Sequence, residues 1–126
     1  MSRNEMIVLT DAVLITAIVQ RGIADMVVQV AQDAGAQGAT IFHAHGTGIR
    51  QKRLGILGLT INSEKEVIYI VAPSELADSI FERIFVAAKI DTPGMGILWM
   101  TPLEKMATYV PHDVAARFGL HTDQRK

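Results

Sequence analysis

Three stretches of this chain carry residue types and spacings that suit chemistry. His43-Ala44-His45 sets two imidazoles two residues apart. On an extended strand that spacing turns both to one face, an arrangement that can chelate a divalent metal, although the same residues also suit polar positions at a strand end. The remaining histidines, His112 and His121, lie in the C-terminal tail. Next comes the segment Gly46 to Gly58, with glycines at 46, 48, 55 and 58 and the cations Arg50, Lys52 and Arg53. Glycines let backbone amides approach and cradle a phosphate while the cations supply charge; an ordinary solvated loop has the same composition. Third, Lys89-Ile-Asp-Thr-Pro-Gly-Met-Gly96 repeats the combination of cation, hydroxyl and glycine, and it also reads as a helix stop made of Pro and Gly.

Catalytic patterns are missing. The sequence has no Gly-x-x-x-x-Gly-Lys-Ser/Thr, no Gly-x-Gly-x-x-Gly and no Gly-x-Ser-x-Gly. With no cysteine, thiolate nucleophiles, disulfides, iron-sulfur clusters and thiolate zinc sites are excluded together. Glu64 and Glu66 bracket Lys65 at the start of an apolar run, the pattern of an exposed strand edge, and Asp113 and Arg117 stand one helical turn apart as a surface pair. The residues favour a binding protein over an enzyme.

These segments must be positioned by the elements between them. Ala12 to Gln20 is rich in β-branched residues and predicts a strand, with Val13, Ile15, Ala17 and Val19 on one face and Leu14, Thr16 and Ile18 on the other. Ile23, Met26, Val27, Val30 and Ala34 follow helical spacing, and Gly35 suits a left-handed helix end. Gly38 to His45 predicts a second strand and Glu66 to Ala72 a third, closed by Pro73. Ser74 is placed to cap a helix carrying Leu76, Ile80, Phe81, Ile84, Phe85 and Ala88; Asp91 to Gly96 breaks it, and Ile97 to Met100 predicts the fourth strand. Glu5 to Leu9 reads as an additional edge strand, and the polar end His121 to Lys126 as frayed. The order β-α-β, β-α-β is the ferredoxin-like α+β pattern. It divides the chain into an N-terminal extension (1–11), a folded domain (12–106) and a tail (107–126).

Composition adds a constraint. The 126 residues include 12 Lys plus Arg against 13 Asp plus Glu, a formal charge of 12 − 13 = −1, so nucleic acid is not the expected partner. Yet 49% of residues are hydrophobic and mean hydropathy is +0.26. A membrane helix needs roughly 20 apolar residues, whereas the apolar runs around Val13 to Ile15 and Ala17 to Val19 are broken by Thr16 and ended by Gln20-Arg21. The start Met1-Ser-Arg-Asn-Glu5 lacks the features of a secretory signal, so a cytoplasmic protein is expected. Two helices cover one face of a four-stranded sheet, and these strands are apolar on both. The second face is therefore expected to meet other subunits, where burying several hundred Å² per subunit contributes on the order of 10 kcal/mol before association costs.

Taken together, Ile18-Val-Gln-Arg-Gly22, Ala34-Gly-Ala-Gln-Gly-Ala-Thr-Ile41, His43-Ala-His-Gly-Thr-Gly48, Glu64-Lys-Glu-Val-Ile-Tyr-Ile-Val-Ala-Pro73 and Thr92-Pro-Gly-Met-Gly-Ile97 resemble the PII-like nitrogen-regulatory superfamily, and within it the divergent branch associated with membrane transporters. The resemblance spans about residues 12–105. It implies a ferredoxin-like homotrimer without catalytic turnover, which binds an adenine nucleotide (ATP, ADP or AMP) or another small anion between subunits. It has no resident cofactor and controls a transporter or enzyme through a loop. Carried onto this chain, the loop is 46–62, with Arg50, Gln51, Lys52 and Arg53 facing a partner. The nucleotide would meet Thr40, Gly46, Thr47, Gly48, Arg50, Lys89, Thr92, Gly94 and Gly96. The chain departs from the pattern at Pro93-Gly-Met-Gly96, where typical members have Gly-Asp-Gly-Lys, and at Ala107 and Tyr109, where they have phosphate-binding arginines. Its loop contains no tyrosine to modify. The alternative is a divalent-metal-binding trimer of the cation-tolerance type, which shares the fold and would use His43 and His45.

Overall fold

The computed structural model describes residues 5–45, 64–109, 111, 113 and 121–124. Strands β1 (Glu5–Leu9) and β2 (Ala12–Gln20) are followed by helix α1 (Ala24–Asp33), β3 (Ala39–His45), β4 (Glu64–Pro73), helix α2 (Ser74–Ala87), β5 (Gly96–Leu103), β6 (Met106–Ala107) and β7 (His121–Gln124). The main sheet has the order β3-β4-β2-β5, with every neighbouring pair antiparallel. This is the ferredoxin-like α+β sandwich that the alternation of elements predicts.

Strand alternation separates two faces. Val13, Ile15, Ala17 and Val19 stand in register with Ala72, Ile70, Ile68 and Glu66 of β4, and all eight are buried. Against this face pack Ala24, Val27 and Ala31 of α1 and Ala77, Ile80 and Ile84 of α2. Burial of β-branched side chains between helices and sheet is the main stabilising term of such a core. Gly35 ends α1 with φ 113°, and a Cβ there would lie 2.9 Å from Leu76 Cδ1, so the glycine also admits α2 close to the turn.

The opposite face is open. Its central row runs Thr40, Tyr69, Thr16 and Trp99 across β3, β4, β2 and β5. Thr16 is buried between its ring-bearing neighbours, yet Tyr69 and Trp99 remain 42% and 41% exposed, and Phe42 46%. Phe42 and Tyr69 meet edge to face with ring centroids 5.2 Å apart, a favourable aromatic geometry. Among the described residues both helices lie on the other face of the sheet.

Several element ends differ from the sequence expectation. Strand β4 begins two residues earlier, at Glu64, because it pairs with β2 as far as Lys65 and with β3 at Glu64, and β5 extends to Leu103 because it pairs with β2 along its length. Pro73, not Ser74, occupies the N-cap of α2, without a side-chain cap; the Ser74 N–H instead donates to Asp11 O at 2.9 Å. Glu5–Leu9 does form a strand, but it is the centre of a separate three-stranded sheet, β6-β1-β7. The His121–Gln124 stretch, expected to fray, is paired with it from Val8↔His121 to Glu5↔Gln124.

Candidate functional site

The end of β3 with His43 and His45 and the turn before β5 stand at one end of the main sheet because of its register. Gln20 pairs with Lys65, Val19 pairs with Gly96 on the other side, and His45 pairs with Glu64. His45, the last residue of β3, and Glu64, the first of β4, therefore stand at the same sheet end at which turn 89–95 enters β5. Gly96 has φ 150°, and a Cβ on it would lie 2.3 Å from Ile18 O. Only glycine lets β5 start this close to β2.

On the outer face of this end, Lys65 is 5% exposed, and loss of water around its amine lowers its pKa. Its Nζ donates to Gln20 Oε1 at 3.3 Å, and Gln20 Nε2 donates to Gly94 O at 2.6 Å. A buried ammonium thus sits next to a glycine-containing turn with a neutral amide between them.

The inner face is arranged differently. Glu66 is 8% exposed, and its Oε1 accepts the N–H of Gly22 and the N–H of Ala24, each at 2.9 Å. Helix α1 has Ile23 at its N-cap and no side-chain cap of its own. A glutamate 42 residues away in sequence therefore satisfies helix donors that would otherwise be orphaned, and its charge opposes the positive end of the helix dipole. Glu66 Oε2 lies 3.7 Å from His43 Nδ1, whose side chain is 76% exposed. Arg21 and Glu64 form an exposed ion pair beside it. This corrects the exposed edge expected at Glu64-Lys65-Glu66: only Glu64 is exposed. The other two are drawn in by a turn and a helix that are distant in sequence.

The nucleotide residues expected from the resemblance are distributed as follows. Gly94 and Gly96 belong to the sheet end. Lys89 and Thr92 are exposed on the turn, Lys89 with φ 55° and Thr92 with its N–H donating to Lys89 O. Thr40 is exposed on the outer face in register with Tyr69, four residues from Ala44, about 13 Å along the strand from the Lys65 row. One protomer does not bring it to the turn. Gly46, Thr47, Gly48, Arg50, Gln51, Lys52 and Arg53 lie outside the described residues, as does the side chain of His45. Among the described residues no group of three His, Asp or Glu side chains is placed to hold a metal, and no helix is long and apolar enough to cross a membrane.

Sequence reasoning missed Gln20, Lys65 and Glu66. A signal existed for Lys65: it occupies the outward position of a strand whose next outward residues are Val67, Tyr69 and Val71. Nothing local marks Glu66 as a cap for a helix that ends 33 residues before it, at Asp33.

Residues 12–112 match the family model for nitrogen regulatory protein P-II. No curated protein sequence matches the chain significantly. Among solved structures, PII from Arabidopsis thaliana bound to citrate superposes with a TM-score of 0.58 at 19% identity, covering 75% of this chain and 79% of that one. A DUF3240 family protein from Shewanella baltica OS155 gives 0.59 at 16% identity, covering 81% of this chain and 100% of the other. At these identities the two structures speak for the fold alone.

Proposed function

Because the chain belongs to the nitrogen regulatory protein P-II family, we propose that it is a non-catalytic cytoplasmic signal regulator that acts as a homotrimer. In this reading it binds a small anionic effector, an adenine nucleotide, between subunits, and passes the bound state to a membrane transporter or an enzyme through segment 46–62. The observation that carries this reading is the outer sheet end. Nearly buried Lys65, joined through Gln20 to Gly94, puts a cation at the start of β4 and within one side chain of the turn. Citrate in the Arabidopsis PII structure is likewise a small anion. The open aromatic face, with Phe42, Tyr69 and Trp99 each more than 40% exposed, supports burial against other subunits. Missing cations at 93–96, 107 and 109 make Lys65 and Lys89 the principal described cations near the phosphates.

Signalling requires the effector to favour one state of the segment; a coupling of about 1–3 kcal/mol is typical. The test is thermal unfolding and limited proteolysis of the purified assembly with ATP, ADP or AMP. The expected result is a raised Tm and slower cleavage within 46–62. Unchanged melting and cleavage with all three nucleotides at millimolar concentration, in an intact trimer, would overturn the effector assignment. A monomer in sedimentation at micromolar concentration would overturn the assembly.

A further inference from the structure

We propose that Gln20 is a positioning residue that mechanically couples the two walls of this site, so that a change of partner at Lys65 is transmitted to turn 89–96. The inference deepens the effector reading above, and rests on it for the identity of the ligand, but the coupling itself exists without one. Three observations carry it. First, the side-chain amide of Gln20 is engaged at both ends: Oε1 accepts from Lys65 Nζ at 3.3 Å while Nε2 donates to Gly94 O at 2.6 Å. Second, these contacts join elements far apart in sequence, since Gln20 is 45 residues from Lys65 and 74 from Gly94. Third, the turn is anchored just behind the contact, where Gly96 abuts Ile18 O, so a bond gained or lost at Gly94 acts on the segment between Lys89 and Gly96.

The physics of the relay lies in the amide. An ammonium at Oε1 draws electron density through the conjugated O–C–N unit and makes the Nε2 hydrogens better donors. Hydrogen bonds in such chains polarise and strengthen one another, more so away from water. The Nε2···O distance of 2.6 Å is short against the usual 2.9–3.0 Å for N–H···O bonds. An anion that draws Lys65 Nζ towards itself weakens the hold on Oε1, and with it the donor strength at Gly94. The turn then loosens or moves towards the ligand. By the same linkage, a ligand that takes up Gly94 alters the partner available to Lys65. A residue without an amide at position 20 fills the space but does not connect the walls.

Hydrogen–deuterium exchange of the trimer without added ligand tests the coupling, read at the Thr92 and Met95 amides, which donate within the turn to Lys89 O and Thr92 O. Gln20→Leu should accelerate their exchange about fivefold, the factor corresponding to one net hydrogen bond. Gln20→Glu, which keeps an acceptor for Lys65 and loses the donor for Gly94, should do the same and guards against a packing artefact of leucine. Lys65→Met should accelerate exchange at the same amides in the wild-type background and add nothing in the Gln20→Leu background, the signature of coupling in a double-mutant cycle. Unchanged turn exchange in both Gln20 variants overturns the proposal, as does a Lys65→Met effect of equal size in both backgrounds. If the cycle closes as expected while no nucleotide raises Tm, the coupling stands and the effector reading falls. If nucleotides bind and the cycle shows no coupling, the relay falls and the effector reading stands.

Discussion

Lys65 and Glu66 are neighbours on β4, both nearly buried, and strand alternation sends them to opposite faces with opposite fates. Glu66 accepts two backbone N–H groups at the positive end of α1; its charge is compensated by fixed groups of the fold, as expected of a structural carboxylate. Lys65 donates to a neutral amide, and its lowered pKa is caused by desolvation. Two adjacent ionisable residues, equally conspicuous in sequence, thus divide into one that caps a helix and one that joins a side-chain amide on the other face of the sheet.

Breaking the platform on which both stand should have the largest effect. Gly96→Ala places a Cβ 2.3 Å from Ile18 O at a φ that L residues rarely adopt, so a loss of about 2–4 kcal/mol in urea-unfolding free energy is expected. Glu66→Ala leaves the Gly22 and Ala24 N–H groups without their acceptor and should cost about 2–3 kcal/mol, with faster amide exchange confined first to α1. Glu66→Gln keeps an Oε1 acceptor and should recover most of that loss; equal destabilisation by both substitutions would show that charge, not acceptance, is what α1 needs.

Lys65→Met should separate the two roles in the opposite direction. The lowered folded-state pKa of Lys65 means that the unfolded chain keeps its proton to higher pH than the native one. Stability therefore rises with pH between the folded-state pKa and the ordinary lysine value of 10.5, as the burial cost of the charged form is relieved. Lys65→Met removes the titrating group, and should flatten the alkaline rise measured by thermal unfolding across the window and abolish any nucleotide-induced shift. The smallest effect belongs to Arg21→Ala. The Arg21–Glu64 pair is exposed, at 69% and 45% of the two side chains, and such pairs contribute about 0–1 kcal/mol; a larger loss in salt-dependent unfolding would assign it a role beyond the surface.

Much of the fold was legible because period-two and period-3.6 patterns are local. Val13, Ile15, Ala17 and Val19 announced their face, Gly35 announced its turn, and the alternation of elements was enough for the ferredoxin-like order. Strand ends were less legible: β4 and β5 outrun their apolar cores because they follow β2, a partner that pattern alone does not reveal. Pairing of Glu5–Leu9 with residues more than 100 positions away has no local signature either. At this sheet end, Gly94 and Gly96 stand out in sequence through the turn pattern Pro93-Gly-Met-Gly96, whereas Gln20, Lys65 and Glu66 do not. Their roles depend on what lies across the sheet, and a polar residue at a strand end looks the same whether it meets water, a helix terminus or a turn.

By itself the sequence determined the two-faced strands, the lack of thiol chemistry, the near-neutral charge and the glycine-marked turns, all consequences of side-chain type and short-range periodicity. Tertiary structure alone decided that His45, Glu64 and turn 89–96 stand at one sheet end, that Glu66 belongs to α1, and that Lys65 is buried beside Gln20. Those outcomes depend on strand register and on desolvation by distant neighbours, and neither is a property of any local stretch of chain.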